Sequence, residues 1–158
     1  MAPDAAVTLE AGARLARALA DASAAVFVVG LKGELGAGKT TLVRGVLRAL
    51  GIQGTVRSPT FTLLETYSAP PLEIAHLDLY RVQSAQEIEA LGVRELLEPG
   101  RVLLIEWPER GQGALPLTDL EIDLSVANPG RRIAFRALST AGKRVLSLLT
   151  QAAAKPRL

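Results

Sequence analysis

The spacing of apolar residues along the chain predicts four helices. Where apolar side chains recur every three to four positions, a helix places them on one face that can be buried. Ser84 followed by Glu87 fits a capping box, a hydrogen-bonding pattern that starts many helices. The predicted helices span residues 9–20, 39–50 with Gly51 after the end, 84–91, and a last stretch that Ser139 or Thr140 caps and that ends near Ala153.

Short apolar runs, and stretches in which apolar and polar residues alternate, predict six strands. Prolines and a glycine mark two turns, at residues 69–71 and 128–130, and the strands that each turn joins are expected to pair antiparallel. The predicted strands span residues 25–31, 61–67, 72–80, 101–105, 119–127 and 132–138. Helices and strands in this order indicate a single α/β domain over residues 1–158 with a mixed sheet.

A glycine-rich turn between the first strand and the second helix fits a phosphate-binding loop. Residues 33–40 read GELGAGKT and match the pattern G-x-x-x-x-G-K-[ST] at every fixed position. The glycines let backbone N–H groups point at phosphate oxygens, and the following helix directs its positive end at the same anion. We therefore expect a P-loop NTPase-like three-layer fold that binds ATP and Mg²⁺. The predicted nucleotide-binding residues are Gly33, Glu34, Leu35, Gly36, Ala37, Gly38, Lys39, Thr40 and Thr41.

The lysine and the first threonine of this loop have separate expected tasks. Lys39 reaches the β- and γ-phosphates, and Thr40 offers its hydroxyl to Mg²⁺. A phosphate loop also needs an acidic partner near the metal, and Glu106 follows an apolar run that is typical of such a position. Thr40 and Glu106 are the predicted Mg²⁺ ligands, with Glu106 acting directly or through a water. A solvated strand end is the alternative for Glu106.

Trp107 comes directly after this predicted acidic ligand. A position in the core or at its rim is the more common fate of a tryptophan. Because it lies beside the expected active centre, we predict that its fluorescence reports nucleotide binding.

A polar stripe marks one of the predicted strands. His76, Asp78 and Tyr80 alternate with leucines, which puts the three hydrogen-bonding side chains on one face. Asp78 is a candidate for orienting water on the magnesium or for acting in hydrolysis. Arg81 is a candidate for pairing with Asp78 or approaching phosphate. Structural roles for His76, Tyr80 and Arg81 fit the pattern equally well.

A switch-like segment is expected before the second predicted strand. In nucleotide-dependent switches this region carries a threonine that senses the γ-phosphate and Mg²⁺, and Thr60 lies there within the sequence SPTF. A rigid turn imposed by Pro59 is the alternative explanation. Lys39, Asp78 and Thr60 are thus the candidate catalytic residues.

Composition narrows the chemistry further. The chain has no cysteine and a single histidine, which excludes disulfides, thiolate catalysis and metal sites built from several cysteines or histidines. A bound metal must then be a hard cation on oxygen ligands. The formal net charge is +2, which permits nucleic-acid binding without requiring it. The longest apolar run covers residues 24–29, too short for a membrane span, and we expect a soluble cytoplasmic protein.

Four segments together resemble the TsaE family, bacterial P-loop ATPases that are needed for the threonylcarbamoyl modification of adenosine 37 in tRNAs reading ANN codons. The segments are GELGAGKTTL, SPTFTLLETY, HLDLYR and LLIEWPER, in this order. Many families share the phosphate loop alone, whereas the other three segments in this order are much more specific.

The resemblance implies that Thr40 and Glu106 are the Mg²⁺ ligands. It also implies that Asp78 is important for hydrolysis and that Thr60 belongs to a switch-like loop. The implied partner is a TsaD–TsaB complex, in which TsaD joins the threonylcarbamoyl group to tRNA. ATP hydrolysis would drive turnover or resetting of that complex rather than supply the modifying chemistry.

Two further points concern the parts of the nucleotide site outside the phosphate loop. Members of the family usually carry a threonine in the first helix, in a stretch like EET, where this chain reads EAG at residues 10–12. The contact on the adenine side is therefore expected to differ. Arg131 and Arg132 lie near a region that borders the nucleotide, and we include Arg132 among the expected nucleotide-binding residues.

Three other functions are open on the sequence alone. A small-molecule kinase would need a second substrate pocket and usually an arginine-rich lid, and no such insertion is visible. A GTPase commonly selects guanine with an [NT]-K-x-D stretch, and no lysine of this chain lies in one. A non-enzymatic assembly module overlaps with the ATPase hypothesis, because no arginine finger or catalytic glutamine is identifiable by motif. We therefore expect slow hydrolysis by the chain alone and faster hydrolysis with its partner, with direct tRNA contact permitted but not required.

Overall fold

A computed structural model describes residues 3–22, 25–56, 59, 62–111 and 113–154 of the chain. Thr60, the predicted switch residue, lies outside the described residues. The helices are α1 (Pro3–Ala22), α2 (Lys39–Ala49), α3 (Ala85–Ala90) and α4 (Thr140–Ala154). The strands are β1 (Phe27–Lys32), β2 (Leu64–Ala69), β3 (Leu72–Asp78), β4 (Arg101–Glu106), β5 (Leu120–Val126) and β6 (Arg131–Ala137).

The six strands form one mixed sheet in the order β2-β3-β4-β1-β5-β6. The four inner strands run parallel, and the two outer strands, β2 and β6, pair antiparallel with β3 and β5. Both predicted antiparallel pairs are therefore confirmed. Parallel order places the carboxyl ends of β3, β4 and β1 side by side at one edge, where open α/β sheets bind their ligands.

Helices cover both faces of the sheet, as the predicted three-layer α/β fold requires. Helices α1, α2 and α4 contribute Leu15, Leu42 and Val145 to an apolar cluster with Val29 and Leu104 of the sheet. The opposite face buries a second cluster, to which β3, α3 and the segment after it contribute Leu77, Ile88 and Val93. No helix in the described part of the chain is long and apolar enough to cross a bilayer.

Two glycines allow α1 to lie directly against α2. A Cβ at Gly12 would come within 2.2 Å of the Leu42 carbonyl oxygen, and a Cβ at Gly45 within 2.3 Å of the Leu9 carbonyl oxygen. Real Cβ atoms do not approach backbone this closely, so the helix separation depends on both residues lacking a side chain. The N-terminal helix is thereby fixed against the helix that follows the phosphate loop.

Several element boundaries differ from the sequence prediction. Helix α1 begins at Pro3 rather than Leu9, because a proline is tolerated in the first turn, where its missing N–H has no helical acceptor. The α3 cap is Ser84, as predicted, but Glu87 accepts from the Gln83 N–H instead of completing the reciprocal bond to Ser84. Two short 3₁₀ helices, Val93–Leu96 and Pro108–Gly111, were not predicted, because four residues are too few for a periodic pattern.

Candidate functional site

The predicted phosphate loop connects the central strand β1 to α2, so its strand–loop–helix context is confirmed. Gly33 has a φ of 147°, and a Cβ there would lie 2.3 Å from the Leu124 carbonyl oxygen of β5. Gly38 is the N-cap of α2, with a φ of 111° in the left-handed region. Both conformations favour glycine, and they let the loop backbone turn sharply at the strand end.

The start of α2 is open to an anion. All residues of its first turn are described, and none of them is acidic. The first N–H groups of a helix have no acceptor within the helix and carry its positive dipole end. A cavity of about 440 Å³ lies in front of them. Its lining residues are Leu35, Gly36, Gly38, Lys39, Thr40, Thr41, Asp78, Tyr80, Arg81, Glu106 and Trp107.

Lys39 is buried against its own loop. Its Nζ donates hydrogen bonds to the carbonyl oxygens of Gly33 and Glu34, the latter at 3.0 Å. Burial lowers the pKa of Lys39 below its usual value, while the negative charges of Glu106 and Asp78 oppose that shift. A phosphate group at this position would offer Lys39 charged acceptors in place of neutral carbonyls.

Thr40 and Glu106 meet across the cavity floor. The Thr40 hydroxyl lies 3.0 Å from Glu106 Oε1 and 3.1 Å from Oε2. The Glu106 side chain is only 3% exposed, and its Oε2 is also 2.6 Å from Nε2 of His76. A hydroxyl and a carboxylate held together beside a phosphate loop supply the oxygen ligands that Mg²⁺ prefers.

The end of β3 brings Asp78 beside Glu106. The two residues are partners in the parallel register of β3 and β4, so their side chains leave the same face of the sheet. Asp78 Oδ1 accepts a hydrogen bond from the Tyr80 N–H at 3.0 Å. The sequence predicted that Tyr80 lies in the strand, but the structure places it in the turn after β3. It still lines the cavity.

An aromatic group covers one side of this cavity. The Trp107 ring centroid lies 4.2 Å from Lys39 Nζ and 5.0 Å from the Tyr80 ring centroid. Trp107 has a φ of 59°, a left-handed conformation that is uncommon for a residue with a side chain. Arg110 stacks on both rings and donates a 2.7 Å hydrogen bond to the Tyr80 carbonyl. Arg110 is the last residue of the segment LLIEWPER, but it was not predicted as a site residue.

The two arginines of β6 occupy different faces of the sheet. Ile133 and Phe135 pack on the helical cluster that contains α2, so Arg131 lies on that face and Arg132 on the other. Arg131 donates a 3.0 Å hydrogen bond to the Gly36 carbonyl of the phosphate loop. The structure thus brings Arg131 to the loop, whereas Arg132, the predicted nucleotide contact, is exposed beside Ser125.

A threonine of the first helix also reaches the loop. Thr8 is 2% exposed, and a Cβ at Gly38 would lie 3.4 Å from its methyl carbon and 3.7 Å from its hydroxyl. Thr8 was not predicted as a site residue, since the family pattern pointed to residues 10–12. A threonine two positions before Glu10 was the available signal.

Comparison with known proteins identifies the family of the chain. The family model described as "Threonylcarbamoyl adenosine biosynthesis protein TsaE" matches residues 3–133. The tRNA threonylcarbamoyladenosine biosynthesis protein TsaE of Haemophilus influenzae is 43% identical over 120 residues, covering 76% of either chain. The protein of the same name from Bacillus subtilis is 39% identical over 112 residues, covering 70% of either chain.

A solved structure has the same architecture. The crystal structure of Bacillus subtilis YdiB superposes with a TM-score of 0.73 at 28% sequence identity, covering 94% of this chain and 90% of that chain. Together with the family match over residues 3–133, this likeness confirms the family predicted from the four sequence segments. The chain belongs to the TsaE family and is a P-loop NTPase-like protein.

Proposed function

We propose that this chain binds ATP together with Mg²⁺ and hydrolyses it slowly. The hydrolysis supports formation of N6-threonylcarbamoyladenosine at position 37 of tRNA, with a TsaD–TsaB complex as partner. The observation that carries the ATP and Mg²⁺ part is the pairing of Thr40 with Glu106 beside a complete phosphate loop. The biosynthetic part rests on the names of relatives that cover most of this chain.

The residues present fit a nucleoside triphosphate bound together with a hard cation such as Mg²⁺. Left-handed glycines shape the loop, the first turn of α2 lacks acidic side chains, and Lys39 supplies a buried ammonium group. Thr40 and Glu106 would hold the metal, which when bound would neutralise phosphate charge and so make the terminal phosphoryl group easier to transfer.

Asp78 is the residue best placed to act in hydrolysis. Its carboxylate lines the cavity next to Glu106, and its Oδ1 accepts a hydrogen bond from the Tyr80 N–H. A carboxylate here would accept a hydrogen bond from the attacking water and orient it. We expect a slow rate for the isolated chain, because its sequence contains no motif for a catalytic glutamine or an arginine finger.

Calorimetry with ATP and GTP, each with and without Mg²⁺, tests the binding site. Lys39→Ala should weaken ATP binding about tenfold to a hundredfold, because a hydrogen bond to a charged group is worth about 1.5–3 kcal/mol. Lys143→Ala removes an exposed lysine on α4 and is the matched control, with unchanged affinity expected. Equal affinities of the wild type and Lys39→Ala would contradict the proposed site.

A product assay tests the reaction. Asp78→Asn can still accept from the Tyr80 N–H, so we expect it to bind ATP normally and to lose most of its phosphate release. Release of inorganic phosphate identifies an ATPase, whereas a kinase would transfer the phosphoryl group to an added acceptor. Undiminished phosphate release by Asp78→Asn would remove Asp78 from the proposed mechanism.

A further inference from the structure

His76 is a buried imidazole whose position the fold alone does not explain. Its side chain is fully buried on β3, between β2 and β4 in the sheet. Ile74, two residues earlier on the same face, packs entirely within the apolar cluster. An apolar side chain at position 76 would avoid the free-energy cost of burying two ring nitrogens.

The hydrogen bonding of His76 is unequal at its two nitrogens. Nε2 lies 2.6 Å from Glu106 Oε2, whereas Nδ1 has no hydrogen-bond partner among the residues that the structure describes. Leaving a buried nitrogen unpartnered costs free energy. The hydrogen bond between Nε2 and Glu106 is therefore the interaction that offsets the cost of a buried ring at this position.

We propose that His76 is a positioning residue for the metal ligand Glu106, an inference that rests on the proposed binding of Mg²⁺ with ATP. The Glu106 carboxylate accepts a hydrogen bond from Nε2, which fixes the carboxylate plane through Oε2. Oε1 then stays directed at the Thr40 hydroxyl, 3.0 Å away. Without this bond the carboxylate can rotate, and the two oxygen ligands are no longer held in one arrangement before the metal arrives.

The test compares variants that keep or remove the N–H donor. His76→Gln retains a donor of similar reach, and His76→Leu has a similar volume without one. The measured quantity is the Mg²⁺ concentration at which ATP affinity, followed by calorimetry, is half-maximally enhanced. We expect this concentration to rise about tenfold to a hundredfold in His76→Leu, the usual effect of losing a partner that orients a metal ligand. His76→Gln should stay close to the wild type.

Affinity for ATP in EDTA separates positioning from general damage to the site. It should be the same in all three proteins, because Lys39 and the loop amides are untouched. If His76→Leu does not fold, His76→Asn replaces it, since its shorter side chain cannot reach Oε2, and the same weakening is expected. Wild-type Mg²⁺ dependence in either variant that lacks the bond to Oε2 would overturn the inference alone. No effect of Mg²⁺ on the wild type would overturn the proposed metal site and the inference with it.

A spectroscopic measurement on the unaltered chain gives an independent readout. His76 is the only histidine, so ¹⁵N-histidine labelling of protein without a histidine tag yields the signals of this ring alone. We expect Nε2 to carry the hydrogen, and its signals to move on adding ATP with Mg²⁺ but much less with ATP and EDTA. A hydrogen on Nδ1 only, or signals unmoved by Mg²⁺ where calorimetry detects its effect, would contradict the proposed role.

Discussion

The ammonium group of Lys39 lies between two kinds of electron-rich partner. Two carbonyl oxygens of its own loop accept its hydrogen bonds, and the face of Trp107 lies 4.2 Å away. These contacts stabilise the cation less than water does, which is why burial lowers its pKa in spite of the acidic residues nearby. Folding therefore favours the neutral lysine relative to the unfolded chain.

Stability at alkaline pH should reflect this shift. Lys39 titrates near 10.5 when unperturbed and at lower pH in the folded chain. Between these two values the unfolded chain binds more protons, so the free energy of unfolding gains a contribution that rises with pH and is complete above about 10.5. We compare the free energy of unfolding of the wild type minus that of Lys39→Met. We expect this difference to rise across that window.

Urea denaturation at a series of pH values measures the difference. Lys143→Met, which removes an exposed lysine on α4, accounts for general effects of alkaline pH. A difference between wild type and Lys39→Met that falls with increasing pH would show that the lysine is stabilised, rather than destabilised, as a cation.

Individual site residues were predictable to the extent that their signals are local. The loop and Thr40 follow from one motif, and Glu106 from an apolar run that ends in an acid. The bond from His76 to Glu106 was not predictable, because spacing along the chain does not say which parallel strands are neighbours. Successive side chains of a strand also point to opposite faces of the sheet, so a shift of one residue changes the face. This is what separates Arg131 from Arg132.

Among the elements, the contact between α1 and α2 has a strict steric requirement. Glycine in a helix interior normally weakens the helix, and alanine there usually stabilises it by about 1 kcal/mol. At Gly45 the added methyl group would meet the Leu9 carbonyl at 2.3 Å, so the gain in helix propensity is opposed by displacement of a backbone. Because α2 begins with Lys39 and Thr40, such a displacement also reaches the site.

Gly45→Ala should therefore destabilise the protein, against the usual direction. We expect a loss of about 1–3 kcal/mol, the range for overpacking a well-filled interior. Chemical denaturation measures it, and ATP affinity reports whether the start of α2 has moved. Arg48→Ala, at an exposed position of the same helix, should change stability by less than about 0.5 kcal/mol. A stabilised Gly45→Ala would mean that the two helices can separate freely.

At the level of elements, periodicity predicted which segments are helical or extended but not where each begins. Strand β3 ends at Asp78 and not at Tyr80, because the chain turns once Asp78 accepts from the Tyr80 N–H. The alternation of apolar and polar residues continues through this turn, so the pattern alone could not locate it. The close approach of α1 to α2 was equally invisible, since it depends on two glycines far apart in sequence.

In the whole molecule, the main candidate site residues lie at one edge of the sheet. Parallel strands β3, β4 and β1 end side by side, and their ends provide Asp78, Glu106 and the phosphate loop. The strand order that brings them together could not be predicted from the sequence, apart from the two antiparallel pairs. The cavity beside the phosphate loop is open to solvent, and exposed Leu35 and Tyr80 lie at its rim. This edge of the sheet is therefore accessible to a partner.

The proposed partnership predicts faster hydrolysis in the presence of the TsaD–TsaB complex. We expect phosphate release to rise about tenfold or more, because one added catalytic group is commonly worth at least that much. Lys39→Ala with the same complex should show no stimulated rate, which controls for ATPase activity in the partner preparation. An unchanged wild-type rate would show that the partner neither completes nor reorganises the site.

The left-handed backbone at Trp107 has a consequence for how this protein can be varied. A side chain in that conformation costs about 1 kcal/mol that a glycine would spare. The turn after β4 is thus one place where folding and activity make opposite demands. A library of variants selected only for a relaxed backbone will drift toward glycine or asparagine there. Its members will lose the aromatic cover of Lys39 while the fold around it remains intact.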